Sequence, residues 1–150
     1  MKTIKYVIRL LVAGIIICSS TVRAQSIHKV DAEERIRNFW AGFEKKDWNL
    51  VADQLTNDFT FTSPNNDDHI SITKFRDRCW ATGSKLFKKI EFQKILLDGN
   101  TALVMYKITD TDDLIIHNIE YYTFSNGKIK SDEVFFGVGV GYTGITKQVK

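Results

Sequence analysis

The second half of the chain consists of short segments in which apolar and polar residues alternate. The segments are KIEFQKILL (89–97), TALVMYKIT (101–109), LIIHNIEYYTF (114–124) and KIKSDEVFFG (128–137). Polar turns separate them, and the last turn is the dipeptide Asn126-Gly127. Alternation over such lengths is typical of strands with one buried face, and Asn-Gly is a strong signal for a tight hairpin. The pattern predicts a sheet built from consecutive hairpins.

The beginning of the domain has the period of a helix instead. Asp31 and Glu34 have the spacing of a capping box. Apolar residues then recur at positions i, i+3, i+4 and i+7, namely Ile36, Phe39, Trp40 and Phe43. We therefore expect an amphipathic helix, followed by a short second helix that Asp47 caps.

The middle of the chain combines one strand and one helix. The strand FTFTSP (59–64) ends at Pro64, and NNDDH (65–69) is expected to be a polar loop. A third helix is expected to begin at Ser71 or Thr73 and to close at Gly83. The order α-α-β-α-β-β-β-β predicts one α+β domain, in which helices cover one face of an antiparallel sheet.

Residues 1–24 differ from the rest of the chain. They have a basic start, the apolar run LLVAGIIIC (10–18), and the ending Thr21-Val22-Arg23-Ala24, in which small residues lie three and one positions before a break after Ala24. This is the pattern of a secretory signal peptide, and we expect cleavage after Ala24, leaving a domain over residues 25–150 in the periplasm or outside the cell. A membrane anchor is the less favoured alternative, because Arg9 interrupts a run shorter than the roughly 20 residues that span a bilayer.

Removal of this segment changes the charge of the chain. Lys2, Lys5, Arg9 and Arg23 leave with it and no acid does, so the net charge falls by four, from +3 to −1. A domain with that charge is not expected to bind nucleic acid. It also retains a single cysteine, Cys79, which we expect to be a small buried residue and not a nucleophile.

No motif for a cofactor or a metal is apparent. The acidic segments NNDDH and DTDD (110–113) lack the alternating acids and the sixth-position glycine of a calcium loop. Phosphate-binding glycine loops, Cys-x-x-Cys pairs and nucleophile elbows are also missing from the sequence. We expect neither a metal nor a cofactor.

Two segments carry a resemblance to a known group of proteins. DWNLVADQLTNDFTFTSP (47–64) and IEYYTFSNGKIKSDEVFFG (119–137), taken with the order of elements, resemble the nuclear transport factor 2-like superfamily and within it the SnoaL-like proteins. The resemblance implies a strongly curved sheet wrapped around the long first helix as a cone, whose mouth holds a ligand or an active site. Such proteins include isomerases, dehydratases, hydrolases, polyketide cyclases and binding modules, so the fold does not imply a reaction.

Ketosteroid isomerase shares this architecture and uses an Asp base opposite a Tyr and a protonated Asp. By the resemblance, its base position falls on Ser63 and its Tyr position on Phe39. The protonated acid has a counterpart in Glu120. Serine without a basic partner is a poor proton acceptor and Phe has no hydroxyl, so ketosteroid isomerisation is not expected.

Glu120 is the strongest polar candidate for a working acid or base. Alternation places it on one face of its strand with Tyr122 and Phe124. If that face is the interior of the cone, burial raises the pKa of Glu120 towards neutrality. The alternative is an ordinary sheet residue that faces solvent or an ion-pair partner.

The next strand adds a second carboxylate, and the turn decides which one. A two-residue Asn-Gly loop pairs Glu120 with Glu133, whereas a three-residue loop with a bulge pairs it with Asp132. Both registers remain open from the sequence. Glu120, Asp132 and Glu133 are therefore the candidate catalytic residues.

The chain has enough aromatic residues to fill a core and to line a pocket. The residues expected to contact a ligand are Trp40, Phe43, Phe61, Ser63, Phe75, Trp80, Tyr106, Tyr122 and Phe135. Core packing is the alternative role for each aromatic residue.

Three functions follow, and the first is favoured. The domain binds a small, largely apolar molecule without strong catalysis. Alternatively, it is an isomerase, dehydratase or cyclase that uses Glu120 as general acid or base. The third possibility is a homodimerisation module, in which the open sheet face with Ile119, Tyr121 and Thr123 forms the interface.

Overall fold

The computed structural model describes residues 28–136. The predicted signal peptide lies outside these residues. Within this part of the chain, no helix is long and apolar enough to cross a membrane.

Two helices open the domain. Helix α1 covers Lys29–Lys45, with His28 at its N-cap and Asp31 in its first turn. The expected capping role of Asp31 is therefore wrong: the chain continues as helix on its N-terminal side, and Asp31 instead places a negative charge at the positive end of the helix. Helix α2 covers Trp48–Ala52, and Asp47 accepts hydrogen bonds from the N–H groups of Asn49 and Leu50 at 2.9 and 3.3 Å, which confirms the predicted cap.

A two-stranded hairpin follows the helices. Strand β1 covers Leu55–Ser63 and strand β2 covers Asp67–Ser71, which pair antiparallel. Strand β2 was expected to be loop because its sequence is polar. It lies at the edge of the sheet, where polar side chains are tolerated because one side of the strand is open to solvent.

The third helical segment is longer than expected. It runs through α3 (Ile72–Phe75), a π-helical turn (Arg76–Trp80) and α4 (Ala81–Leu86). Gly83 does not close it. A Cβ atom at this position would lie 2.8 Å from a ring carbon of Phe87 and 3.0 Å from one of Phe43, so glycine permits close packing there.

The remaining strands complete a single sheet. They are β3 (Phe87–Asp98), β4 (Thr101–Asp110), β5 (Ile115–Ser125) and β6 (Lys128–Phe136), and the spatial order is β2-β1-β6-β5-β4-β3. All neighbours are antiparallel except β1 and β6, which are parallel. The α+β class with a curved sheet is confirmed, and the sheet is mixed because β6 returns beside β1 in the same direction.

The core lies between the sheet and α1. The apolar stripe of α1 is buried, and its rings contact those of the sheet and of the third helical segment: Trp40 lies 4.6 Å from Tyr106 and Phe39 lies 6.0 Å from Phe75 between ring centroids. Burial of such side chains contributes on the order of 2 kcal/mol each. The helix is therefore fixed against the concave side of the sheet.

A bulge sets the register of the last hairpin. Ser125 pairs with Lys128 across a two-residue turn in which Asn126 and Gly127 both have positive φ, as a type I′ turn requires. Beyond the turn the pairing shifts by one residue, because Lys130 has no partner on β5. Glu120 consequently lies opposite Val134, so neither of the two predicted pairings is right.

Candidate functional site

A cavity of about 320 Å³ lies between α1, the third helical segment and the inner face of the sheet. This volume is at the lower end of the range found for small-molecule sites. Of the residues expected to contact a ligand, the structure places these in the wall: Trp40, Phe43, Phe61, Ser63, Phe75 and Tyr106. Glu120 and Asp132 also line the cavity.

Four predicted residues lie elsewhere. Glu133 and Phe135 point to the outer face of the sheet, where Phe135 is 52% exposed, because the bulge at Lys130 reverses their orientation relative to the turn. Trp80 packs against Trp48, with ring centroids 5.4 Å apart. Tyr122 is buried behind the wall, although its hydroxyl contacts a wall residue.

Glu120 is held by a chain of hydrogen bonds in the core. Tyr106 donates its hydroxyl to Oε1 at 2.5 Å, and the hydroxyl of Tyr122 donates to Oε2. The two hydroxyls in turn accept hydrogen bonds at 3.0 Å, one from Asn118 Nδ2 to Tyr106 and one from Trp40 Nε1 to Tyr122. Each oxygen of Glu120 therefore accepts one hydrogen bond from a tyrosine hydroxyl.

The surroundings of Glu120 change its acidity. Burial raises its pKa from the ordinary 4.5 to about 7, although the hydrogen bonds from Tyr106, Tyr122 and Trp40 act in the opposite direction. Burial together with the nearby carboxyls of Glu120 and Asp132 raises the pKa of both tyrosines well above 10. The tyrosines are thus neutral hydrogen-bond donors at physiological pH.

Asp132 is the second buried acid of the cavity. It pairs with Tyr122 across the hairpin and with Phe61 on β1, and it is 2% exposed. Burial and the Glu120 carboxyl raise its pKa well above 3.8. Its Oδ1 has no hydrogen-bond partner among the described residues.

A third polar cluster lies where the wall reaches the surface. Asp67 is buried, and its carboxylate accepts a hydrogen bond from Ser63 Oγ at 2.8 Å and lies 3.0 Å from Arg78 Nη2. Cys79 Sγ lies 3.8 Å from the same carboxylate, and burial raises the pKa of the thiol to about 12. Cys79 is accordingly a neutral thiol at physiological pH and a poor nucleophile.

Sequence reasoning missed Asp67, Arg78 and Asn118 as wall residues. Asp67 was placed in a loop because its neighbours are polar, and its pairing partners are distant in sequence. Asn118 had an available signal, since it lies two residues before Glu120 on the same face of β5. No group of three or more His, Cys, Asp or Glu side chains suited to a metal ion occurs in residues 28–136.

The ketosteroid isomerase positions can be located in this geometry. Phe39 is buried against Trp40 in an edge-to-face contact, and Ser63 donates to Asp67. Ser63 thus has a carboxylate partner, so the expectation that it lacks a basic partner is wrong; its hydroxyl already donates to Asp67 and has no spare proton for a ligand. The polar side chains of the cavity wall that are the candidates for contact with a ligand are instead Tyr106, Glu120 and Asp132.

A cone-shaped α+β fold with an aromatic cavity under its first helix is the architecture of the nuclear transport factor 2-like proteins. The sequence model of the SnoaL-like domain matches residues 36–131, and the chain belongs to that family. No curated protein matches the chain closely enough in sequence to be counted as a relative.

Solved structures share the fold at low sequence identity. A protein of unknown function with a cystatin-like fold from Methylobium petroleophilum has 14% identity and a TM-score of 0.68, covering 82% of this chain and 86% of that one. A putative ketosteroid isomerase from Kribbella flavida has 15% identity and a TM-score of 0.61, with coverages of 81% and 91%. An NTF2-like protein of unknown function from Cytophaga hutchinsonii has 21% identity, a TM-score of 0.58 and coverages of 75% and 93%.

Proposed function

We propose that the domain binds a small, largely apolar molecule in its aromatic cavity. The observation that carries the proposal is the cavity itself, about 320 Å³ of space walled mainly by rings from α1, β1 and the third helical segment. Protein interiors are normally packed without voids of this size. Open apolar space in contact with the surface is therefore characteristic of a binding site.

The hydrogen bonds of Glu120 favour binding over catalysis. A general base at neutral pH benefits from a raised pKa, and the hydrogen bonds that Tyr106 and Tyr122 donate to Glu120 act against that rise. The network orders the wall and holds Trp40 and Tyr106 in place.

A blocked cavity tests the proposal. Thr82 is exposed and lies at the edge of the cavity, so Thr82→Trp is expected to place an indole in the opening without disturbing the core. Thr73→Trp, on an exposed position of the same helical segment outside the wall, is the matched control. Native mass spectrometry of the purified proteins is expected to show a bound small molecule in wild type and in the control, and none in Thr82→Trp.

An equal fraction of ligand-bound protein in wild type, Thr82→Trp and Thr73→Trp would mean that the ligand binds outside the cavity. Absence of any bound molecule from wild type, with no binding in a screen of apolar compounds by tryptophan fluorescence, would contradict the proposal.

One observation favours an enzyme of the isomerase, dehydratase or cyclase type as the second candidate. A carboxyl with a pKa of about 7 can both give and accept a proton at neutral pH. In this reading Glu120 is the general acid or base, and proton exchange passes through Tyr106, which lines the cavity. Incubation of the recovered ligand with wild type and with Glu120→Gln distinguishes the two functions: conversion by wild type alone supports catalysis, and an unchanged ligand in both supports binding.

The outer face of the sheet supports a homodimer. Met105, Ile119 and Phe135 form a cross-strand row, and Leu103 and Tyr121 form the next. Met105, Leu103, Tyr121 and Phe135 are each more than a third exposed, and an apolar patch of this kind on a sheet is typical of an interface.

Sedimentation equilibrium tests the dimer. Phe135→Asp is expected to shift the protein to monomer, whereas Leu86→Asp, at an exposed apolar residue of α4, is expected to leave the dimer unchanged. A monomeric wild type would refute the dimer and leave the ligand proposal intact.

We also propose that the protein is exported. The basic start, apolar run and small residues before Gln25 support cleavage after Ala24. Expression with the native N-terminus, followed by N-terminal sequencing of the exported protein, is expected to begin at Gln25. A sequence that begins at Met1 would refute it.

A further inference from the structure

The polar atoms of the cavity wall that lack partners are acceptors. Asp132 Oδ1 and Asn118 Oδ1 belong to residues that line the cavity, are themselves buried and have no hydrogen-bond partner among the described residues. The amide of Asn118 uses its nitrogen to donate to Tyr106. Unpartnered buried acceptors are costly, and a cation bound at the Asp132 carboxyl would offset part of that cost.

The charged groups of the cavity wall also favour a ligand that brings hydrogen-bond donors. The ionisable acids of the wall are Asp67, Glu120 and Asp132. Among the described residues of the wall, the basic side chain is Arg78 and its partner is Asp67, so Glu120 and Asp132 share the interior without a cation paired to either of them. Burial raises the pKa of both acids, and the Glu120 carboxyl raises that of Asp132 further, so a cation beside Asp132 would favour its ionised form.

The rings near Asp132 suit a positive group as well. Phe61 is its register partner on β1 and lines the cavity together with Trp40 and Phe75. Aromatic faces attract ammonium groups within about 6 Å of the ring centroid. A positive group at Asp132 would thus meet a carboxylate and ring faces at once.

We propose that the ligand is a protonated amine on an apolar body, with its ammonium group donating to the carboxylate of Asp132. This inference rests on the proposed binding function and specifies the class of ligand. Asp132 is the specificity residue, while Glu120 remains engaged with the two tyrosines. A neutral ketone can accept a hydrogen bond only from the protonated form of Asp132 and gains no attraction between opposite charges, so we expect it to bind more weakly than the amine.

The test uses three probes of similar shape and size: naphthylmethylamine, acetonaphthone and methylnaphthalene. Isothermal titration calorimetry on the wild-type domain is expected to show the amine binding about tenfold or more tightly than either neutral probe, as a hydrogen bond to a charged group implies. Asp132→Asn is expected to remove that preference. Glu133→Gln changes the adjacent acid on the outer face and is expected to retain it.

The outcomes separate the inference from the function on which it rests. If neutral probes bind and the amine binds no more tightly, the cavity is a binding site and the amine proposal is wrong. If no probe binds to wild type and the copurification test also finds no ligand, the binding function itself fails. The ranking of the probes on wild type decides the inference even where Asp132→Asn does not fold, and unchanged preference in a folded Asp132→Asn would also overturn it.

Discussion

Tyr121 and Glu133 form one cross-strand pair of the last hairpin, and Tyr122 and Asp132 form the next. Each pair consists of a tyrosine and a carboxylic acid, and the two pairs are one residue apart along both strands. Tyr121 is 37% exposed and Glu133 faces solvent, whereas Tyr122 and Asp132 are 0% and 2% exposed. Burial raises the pKa of Tyr122 and Asp132 well above the ordinary values. The face of the strand, and not the residue type, therefore determines which pair can take part in binding.

The bulge at Lys130 is the feature that assigns the pairs to their faces. Without it, a two-residue turn would point Glu133 and Phe135 inwards and Asp132 and Val134 outwards. Strand β1 contacts the bulge from the other side, since Lys130 Nζ lies 2.5 Å from Asp58 Oδ2 and also donates to the main-chain oxygen of Asp58.

Insertion of one alanine between Ser131 and Asp132 exchanges the two faces beyond the insertion and is expected to have the largest effect. It pairs Glu120 with Glu133, and burying Glu133 while exposing Val134 should lower the free energy of unfolding by on the order of 4 kcal/mol or more. Urea denaturation followed by circular dichroism measures it. Lys130→Ala, which keeps the residue count and so the pairing, is expected to cause only a small fraction of that loss. Equal losses in the two variants would show that the number of residues between the turn and Asp132 does not set the register.

The two buried acids make stability depend on pH. Glu120 has a pKa of about 7 in the folded protein against an ordinary 4.5. Below about 4.5 the group is protonated in both states; as the pH rises towards 7 the unfolded chain ionises first, so folding stability falls. The loss is on the order of 3 kcal/mol between those limits, and Asp132 acts in the same direction.

Unfolding measured between pH 4.5 and 8 tests this dependence. The difference between wild type and Glu120→Gln removes the contribution of distant carboxylates and reports Glu120 together with its effect on Asp132. That difference is expected to change across the range. A constant difference for Glu120→Gln would mean that Glu120 titrates as an ordinary exposed carboxyl.

Removing one hydroxyl from each pair compares the faces directly. Tyr122→Phe takes a donor from Glu120 and an acceptor from Trp40, and is expected to cost about 2 kcal/mol, since buried polar atoms are left unpartnered. Tyr121→Phe should stay within about 0.5 kcal/mol of wild type. Thermal unfolding gives both values, and carbon-detected NMR should show the pKa of Glu120 rising in Tyr122→Phe. Similar costs for the two substitutions would contradict the network.

The sequence predicts local features of this site better than long-range ones. The stripe on α1, the cap at Asp47 and the two-residue turn each depend on neighbouring residues, and all are present. The bulge depends on how β6 meets β1, which no local pattern contains. For that reason alternation alone identifies the face of Glu120 but gives the wrong partner, and it assigns Phe135 to the pocket although that side chain is exposed.

The same limit explains the cluster around Asp67. Its burial depends on Ser63 and on Arg78, which belong to a strand and to the third helical segment that fold over it. The polar sequence 65–69 predicts exposure because these contacts are made by residues outside that segment. Wall residues can thus be predicted where they follow the pattern of a single helix or strand. They cannot be predicted where their burial depends on contacts between several elements.

The pair that follows on the outer face should show the smallest effect. Thr123 Oγ1 lies 2.6 Å from Ser131 Oγ, directly beside the bulge and in a partly buried position. Such cross-strand hydrogen bonds contribute roughly 0.2–1 kcal/mol, so Thr123→Val and Ser131→Ala in a double-mutant cycle should give a coupling energy of about 0.5 kcal/mol. A coupling of the size expected for Tyr122 would mean that the outer face near the bulge is as tightly organised as the inner one. The contrast between the faces would then come from exposure to water alone, because hydrogen bonding would no longer distinguish them.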